Sequence, residues 1–286
     1  MKLYGEVFRE IRISRGLSIE NLADQTVSKS TISRFERLES DLTLEKLLHL
    51  LNKIKVSMRE FVFLSSQKTN IPSSLEFLSK AVIENNPTML KGFVDEEWLL
   101  YKKTSSIYSK LTAIVLESHY KSLLGEEVIF DENVAFLTDY FFQCDVWTQF
   151  DVVLFADSMS YLPIETSIVL SKEIMRKTQI FHKDRQSFET LINTLENITL
   201  VCLENNRIND ANEFLMIIDK LEIDETYLLE KVILKFIKGV YLFKTGNESN
   251  GKKNIEDSLQ VMHLAEAFQF ESIFQEYAQK ITLLKG

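Results

Sequence analysis

Over 286 residues this chain holds only three prolines, Pro72, Pro87 and Pro163, and eight glycines. Strands joined by tight hairpins need such residues to turn. Instead, leucine, isoleucine, glutamate, lysine and phenylalanine recur at spacings of three and four, the period of an amphipathic helix. The chain is therefore expected to be all-α. With 45% hydrophobic residues it can bury substantial cores, yet no apolar run approaches the roughly 18 residues of a membrane span. The N-terminal MKLYGEVFREIR carries charges where a signal peptide would be apolar, so a cytoplasmic protein with no membrane contact is expected. Cys144 and Cys202 lie inside apolar helical patterns, which suits reduced core thiols rather than a disulfide framework or zinc site.

The helical pattern breaks at SSQKTNIPSS, Ser65 to Ser74, before Ser73-x-x-Glu76 offers a capping-box start. The expected division is a front segment 1–65, a linker 66–74 and a body 75–286. Charge divides the same way: the formal −9 splits into +2 over residues 1–65 and −11 over the remainder. A negatively charged partner such as nucleic acid is thus expected at the front. Five short helices are expected there, about 3–14, 18–24, 28–38, 43–53 and 57–64, with Ser18, Ser28, Thr43 and Ser57 as N-caps. Connections this short force a compact bundle.

Eleven long amphipathic segments follow, from about 73–85 to 266–284, and pair off as helical hairpins. Pairs beginning near Asp145, Ser187 and Thr226 start about 40 residues apart, a helical-solenoid period. In the last pair Gly239, Gly251 and Ser258 put small residues where two helices of a tetratricopeptide-type (TPR-like) repeat approach closely. Stacked repeats leave a concave face suited to an extended peptide.

The stretch VSKSTISRFERLES, Val27 to Ser40, carries the sharpest signal. Ile32 and Phe35 fix an inward face, which leaves Lys29, Ser30, Ser33, Arg34 and Arg37 outward after the Ser28 cap. Such side chains can bond to base edges and phosphates, although a solvated face has the same pattern. Its neighbours decide between the two. Residues 5–62 closely resemble the helix-turn-helix of phage-repressor-like (XRE) regulators. The matches include Arg9, Ile11 and Arg12 before the Arg15-Gly16-Leu17-Ser18 turn, Leu22-Ala23, Ser28-Lys29-Ser30-Thr31-Ile32-Ser33, and Leu44, Leu47, Leu48 and Leu51. The turn DQTVS is one residue short of the common spacing, and Leu38 stands where a glycine often closes the third helix, leaving the tilt of that helix open. Both departures, with LAD-x-x-x-SKS-x-ISRFER and the Trp147 to Phe155 segment, resemble the Rgg/GadR/MutR regulators of Gram-positive bacteria.

That resemblance implies a homodimer that binds promoter DNA through 1–65 and takes a short signalling peptide into a repeat-built sensor body. It assigns Ser28, Lys29, Ser30, Ser33, Arg34 and Arg37 to DNA, and Arg12 and Glu36 to a structural ion pair. An intersubunit disulfide that some relatives form from the head is not expected, since this head has no cysteine.

For the peptide, Asn193 and Asn197 share one helix face, and asparagine can hold an extended backbone through both donor and acceptor. Tyr227, Lys231 and Lys235, read as one stripe of a later inner helix, could meet a peptide carboxylate. GNESNGKK, Gly246 to Lys253, mimics a phosphate loop but follows a helix and lacks the hydroxyl residue, so it reads as a repeat turn. His49, His119, His182 and His263 are dispersed, and no catalytic, cofactor or metal constellation is present. The sequence therefore reads as a non-enzymatic, peptide-controlled transcriptional regulator. Two alternatives stay open: a regulator without ligand, its body serving to dimerise and contact RNA polymerase, or a protein-interaction module with secondary DNA binding.

Overall fold

Serine and threonine hydroxyls mark where the front helices begin. In the computed structural model of the chain, which describes residues 3–66, 74, 75, 77–126, 132–178 and 184–283, Ser18, Ser28 and Thr43 accept hydrogen bonds from the amides of Asn21, Thr31 and Lys46. Ser57 and Glu60 exchange the two bonds of a capping box. The helices are α1 (Tyr4–Ser14), α2 (Ile19–Leu22), α3 (Lys29–Glu36), α4 (Leu44–Lys53) and α5 (Met58–Ser66). Val7, Phe8, Leu22, Ile32, Phe35, Leu50 and Phe61 meet in their common core. The Ser73 and Glu76 capping box, most of the 66–74 linker and His182 lie outside the described residues.

The third helix ends two residues earlier than its pattern suggested. Leu38 takes the left-handed conformation at φ 63°. Its amide bonds to the Phe35 carbonyl at 3.0 Å, and the Glu39 amide bonds to the Arg34 carbonyl at 2.8 Å, a Schellman closure. Such a φ disfavours a β-carbon, but the Leu38 side chain is set against Gly5 of α1, an apolar contact that glycine could not make. The helix end is thus closed without the usual glycine.

Contacts divide the chain into Met1–Ser73 and Ser74–Gly286. The second unit contains α6 (Leu78–Ile83), α7 (Pro87–Thr104), α8 (Ile107–Leu123), α9 (Glu132–Gln143), α10 (Gln149–Ser158), α11 (Ile164–Lys177), α12 (Arg185–Glu204), α13 (Ile208–Asp219), α14 (Leu228–Lys244), α15 (Glu248–Leu264) and α16 (Phe268–Leu283). No strand occurs among the described residues. The hairpins α7/α8, α12/α13 and α14/α15 are the tightest pairings, while α8, α10, α12 and α14 pack side by side. At the last hairpin a Cβ on Gly251 would lie 2.6 Å from the Phe243 amide nitrogen, and one on Gly239 would lie 2.9 Å from the Gly251 carbonyl. Only glycine permits that approach. Gly246 turns the chain between the two helices with φ 97°, so GNESNGKK is a repeat turn.

The Trp147 segment is a structural joint. Trp147 is fully buried, its amide donates to the Lys177 carbonyl, and Thr148 and Asp151 form the capping box of α10. Buried Lys177 donates to the carbonyls of Phe141 and Cys144 and lies over the Trp147 ring. This joint ties α9, α10 and α11 together.

Candidate DNA-binding face and inner surface

Orientation of α3 is set from its buried side. Ile32 and Phe35 are enclosed, and beside them the Arg12 guanidinium meets the Glu36 carboxylate twice, at 2.6 and 2.7 Å, while donating to the Leu17 carbonyl at 2.6 Å. A two-point contact of planar groups fixes rotation as well as distance. The Glu36 carboxylate in turn holds the Arg12 guanidinium above its ordinary pKa.

The outward face follows. Ser28, Lys29, Ser30, Arg34 and Arg37 are exposed and Ser33 is half-buried. Ser28 Oγ is occupied as the cap and lies 2.9 Å from Ser30 Oγ. Lys29 rests on Glu20 at 2.9 Å and Arg37 on Glu39 at 3.0 Å. Exposed pairs of this kind are weak and screened, so a phosphate can replace the glutamate. The Arg34 side chain forms no ion pair among the described residues, which leaves its five donors free for a base edge or phosphate.

The short turn DQTVS is organised by Asp24, which sequence reasoning had not singled out. One carboxylate oxygen accepts from the Thr26 and Val27 amides, and the other binds His49 and Lys53 of α4. Lys53, first, and His49 hold the Asp24 carboxyl well below the usual carboxylate range. Lys53 also donates to the Leu22 carbonyl. The side chain thus replaces the missing residue and ties the α2–α3 turn to α4.

On the body, Asn193 and Asn197 are exposed on α12 and Lys231 on α14. Tyr227 does not share their stripe. Asp224 turns the chain by accepting from the Thr226 amide, Arg185 holds the Thr226 carbonyl, and α14 begins only at Leu228. Tyr227 is therefore buried against Phe188, with the Arg185 guanidinium 4.8 Å from its ring centre. Lys235 is engaged with Asp257 of α15 at 2.7 Å. The terminal helix α16 folds back on this surface: Phe274 stacks edge-on against Phe236 of α14, and Tyr277 donates to the Leu200 carbonyl of α12.

Between α12 and α14 lies a feature unforeseen from sequence. Glu196 and Glu230 are 2% and 5% exposed, and Glu196 Oε1 has no hydrogen-bond partner. A signal existed, since Glu196 falls on the helical stripe of Ile192, Thr199 and Leu203, all buried. Burial first, and then the Glu230 charge, push the Glu196 carboxyl up to about 9. A carboxyl protonated more readily in the folded chain stabilises it fully below the ordinary carboxyl range, and that contribution is lost as pH rises through about 9. Chemical denaturation of the full chain across that range should lose up to about 1.4 kcal/mol per pH unit from this group. Asp157, raised to about 7 by burial, titrates within the window, so the quantity to compare is wild type minus Glu196→Gln. Parallel pH profiles for the two chains would contradict the assignment.

Comparison with known proteins matches this architecture. The profile of the C-terminal domain of HTH-type transcriptional regulator Rgg covers residues 99–276, and a helix-turn-helix profile covers residues 8–61. The chain belongs to the Rgg family. Family members of this kind are helix-turn-helix transcriptional regulators, and the fold extends over the whole chain. The Streptococcus dysgalactiae SHP pheromone receptor Rgg2, as a cysteine-to-serine variant, shares 24% identity over 98% of this chain and 99% of its own, with a TM-score of 0.82. A Listeria monocytogenes EGD-e protein superposes at a TM-score of 0.87 with 18% identity over 99% and 98% of the two chains. PrgX in complex with cCF10 gives 0.77 with 17% identity over 98% and 92%. Those likenesses establish a common fold, and no described helix is long and apolar enough to cross a membrane.

Proposed function

We propose that this Rgg-family chain is a cytoplasmic homodimer that binds promoter DNA through residues 1–65 and is switched by a short peptide held on the inner surface of residues 75–286. The observation that carries the DNA half is the outward row of α3, with Arg34 unengaged on a helix whose rotation Arg12 and Glu36 fix. Lys29, Ser30 and Arg34 read base edges, Ser33 and Arg37 flank them, and Ser28 holds the first turn. The peptide half is supported by the exposed Asn193, Asn197 and Lys231 on adjacent helices, and by the fold shared with an SHP pheromone receptor and a PrgX/cCF10 complex. A peptide that prefers one curvature of the body shifts the balance between two placements of the paired heads, and so their fit to two half-sites. RNA polymerase is a further contact of the DNA-bound body.

Selection of random duplexes with the full chain tests this reading. It should enrich a bipartite site whose halves are separated by whole helical turns. With a head of formal charge only +2, affinity for unrelated DNA should be weak and strongly reduced by salt. Enrichment of no sequence over the starting pool would overturn the DNA half. Unchanged occupancy of the selected site in the presence of peptides from the producing culture would overturn the switch.

A further inference from the structure

Resting on the peptide reading above, we infer that Glu196 and Glu230 form a subsite for the cationic group of the bound peptide, its N-terminal ammonium or a basic side chain. Both glutamates are buried, Glu196 on α12 and Glu230 on the adjacent α14, and the Glu230 charge is felt at Glu196. Glu196 Oε1 has no hydrogen-bond partner, although a buried polar oxygen left so is costly. Lys235 and Lys238 of α14 and Lys280 of α16 are held by Asp257, Asp219 and Glu204, and Lys231 of α14 is exposed. Nor do the acids suit a metal, since no group of three or more potential ligands occurs among the described residues.

An ammonium or guanidinium supplies the missing donors. One ammonium presents three N–H groups, enough to serve both carboxylates at once. On the same helix Asn193 and Asn197 flank Glu196 and face solvent, where their amides can hold the adjoining peptide backbone. While the subsite is empty, a proton held on Glu196 relieves the repulsion between the acids. The entering cation displaces that proton to solvent, one for one, so charge balances. Binding therefore releases a proton.

The test uses the full chain and an equimolar pool of synthetic aliphatic octapeptides in several forms: free N-terminus, N-acetylated, N-acetylated with a single lysine, and N-acetylated with a single aspartate. Retained peptides are quantified by mass spectrometry after filtration. Ammonium-bearing forms should be enriched roughly ten- to hundredfold over the neutral acetylated form, and the free-terminus and lysine arms show which source the site accepts. Glu196→Gln and Glu230→Gln, each conserving volume, should separately abolish that preference. Calorimetry of an enriched peptide in two buffers of different ionisation heat should show proton release in the wild type and not in Glu196→Gln. Retention without regard to charge, or a preference that survives both substitutions, overturns the subsite while leaving peptide binding intact. Retention of no form at all overturns the peptide reading and the subsite with it.

Discussion

Gly5→Ala should unfold the front unit while leaving the body folded. A Cβ at this position would collide with the Phe35 carbonyl oxygen and lie 2.9 Å from its carbonyl carbon. Both are backbone atoms at the foot of α3, so neither can rotate away. Forcing α1 and α3 apart disrupts the core around Phe8, Ile32 and Phe35 and should cost about 3 kcal/mol or more. A head of this size holds only several kcal/mol in total. Thermal melts followed by far-ultraviolet circular dichroism should lose the head's share of the transition, and binding to the selected operator should disappear. Gly92→Ala is the control, since open space surrounds that position inside α7. Alanine there should be neutral or stabilising by about 0.5–1 kcal/mol. A Gly5→Ala chain that melts and binds DNA like wild type would show that α1 and α3 do not meet as closely as described.

Breaking the Arg12–Glu36 pair should be comparably damaging, and the damage should be asymmetric. The Glu36 side chain is 4% exposed and Arg12 11%, so Arg12→Met strands a carboxylate inside the head. Loss of one partner of such a pair costs about 3–5 kcal/mol. The double substitution Arg12→Met with Glu36→Leu removes both charges and should recover most of that loss. Operator affinity should recover less than stability does, because an apolar contact no longer fixes the rotation of α3. Equal losses for the single and double variants would mean that the pair contributes packing alone.

Local chemistry made much of this fold legible. Ser18, Ser28, Thr43 and Ser57 start helices because their hydroxyls cap amides within three residues, and the periodic apolar positions needed no distant information. Gly239 and Gly251 were legible for the same reason: spacing along two adjacent helices decided which residues had to be small. What escaped depended on contacts between elements remote in sequence. Asp24 looked like an ordinary turn residue until α4 brought His49 and Lys53 to it. Tyr227 fell on a helical stripe only while Thr226 was assumed helical, and Arg185, 41 positions away, holds that residue in a turn. Glu196 carried a readable periodicity, but its meaning depends on Glu230 arriving from the next repeat. The exposed row of α3 was thus legible, because one helix carries it. The stripe proposed on the body was not, because Tyr227 is held by residues of another repeat.

The most direct test of the account is the affinity of Arg34→Ala, measured by fluorescence anisotropy on the selected operator and on a scrambled duplex at one salt concentration. With Arg34 reading a base, specific binding should weaken by about 1–3 kcal/mol while binding to the scrambled duplex changes far less. Equal losses on the two duplexes would make Arg34 a phosphate contact, and no loss on either would contradict the assignment of α3 as the recognition helix.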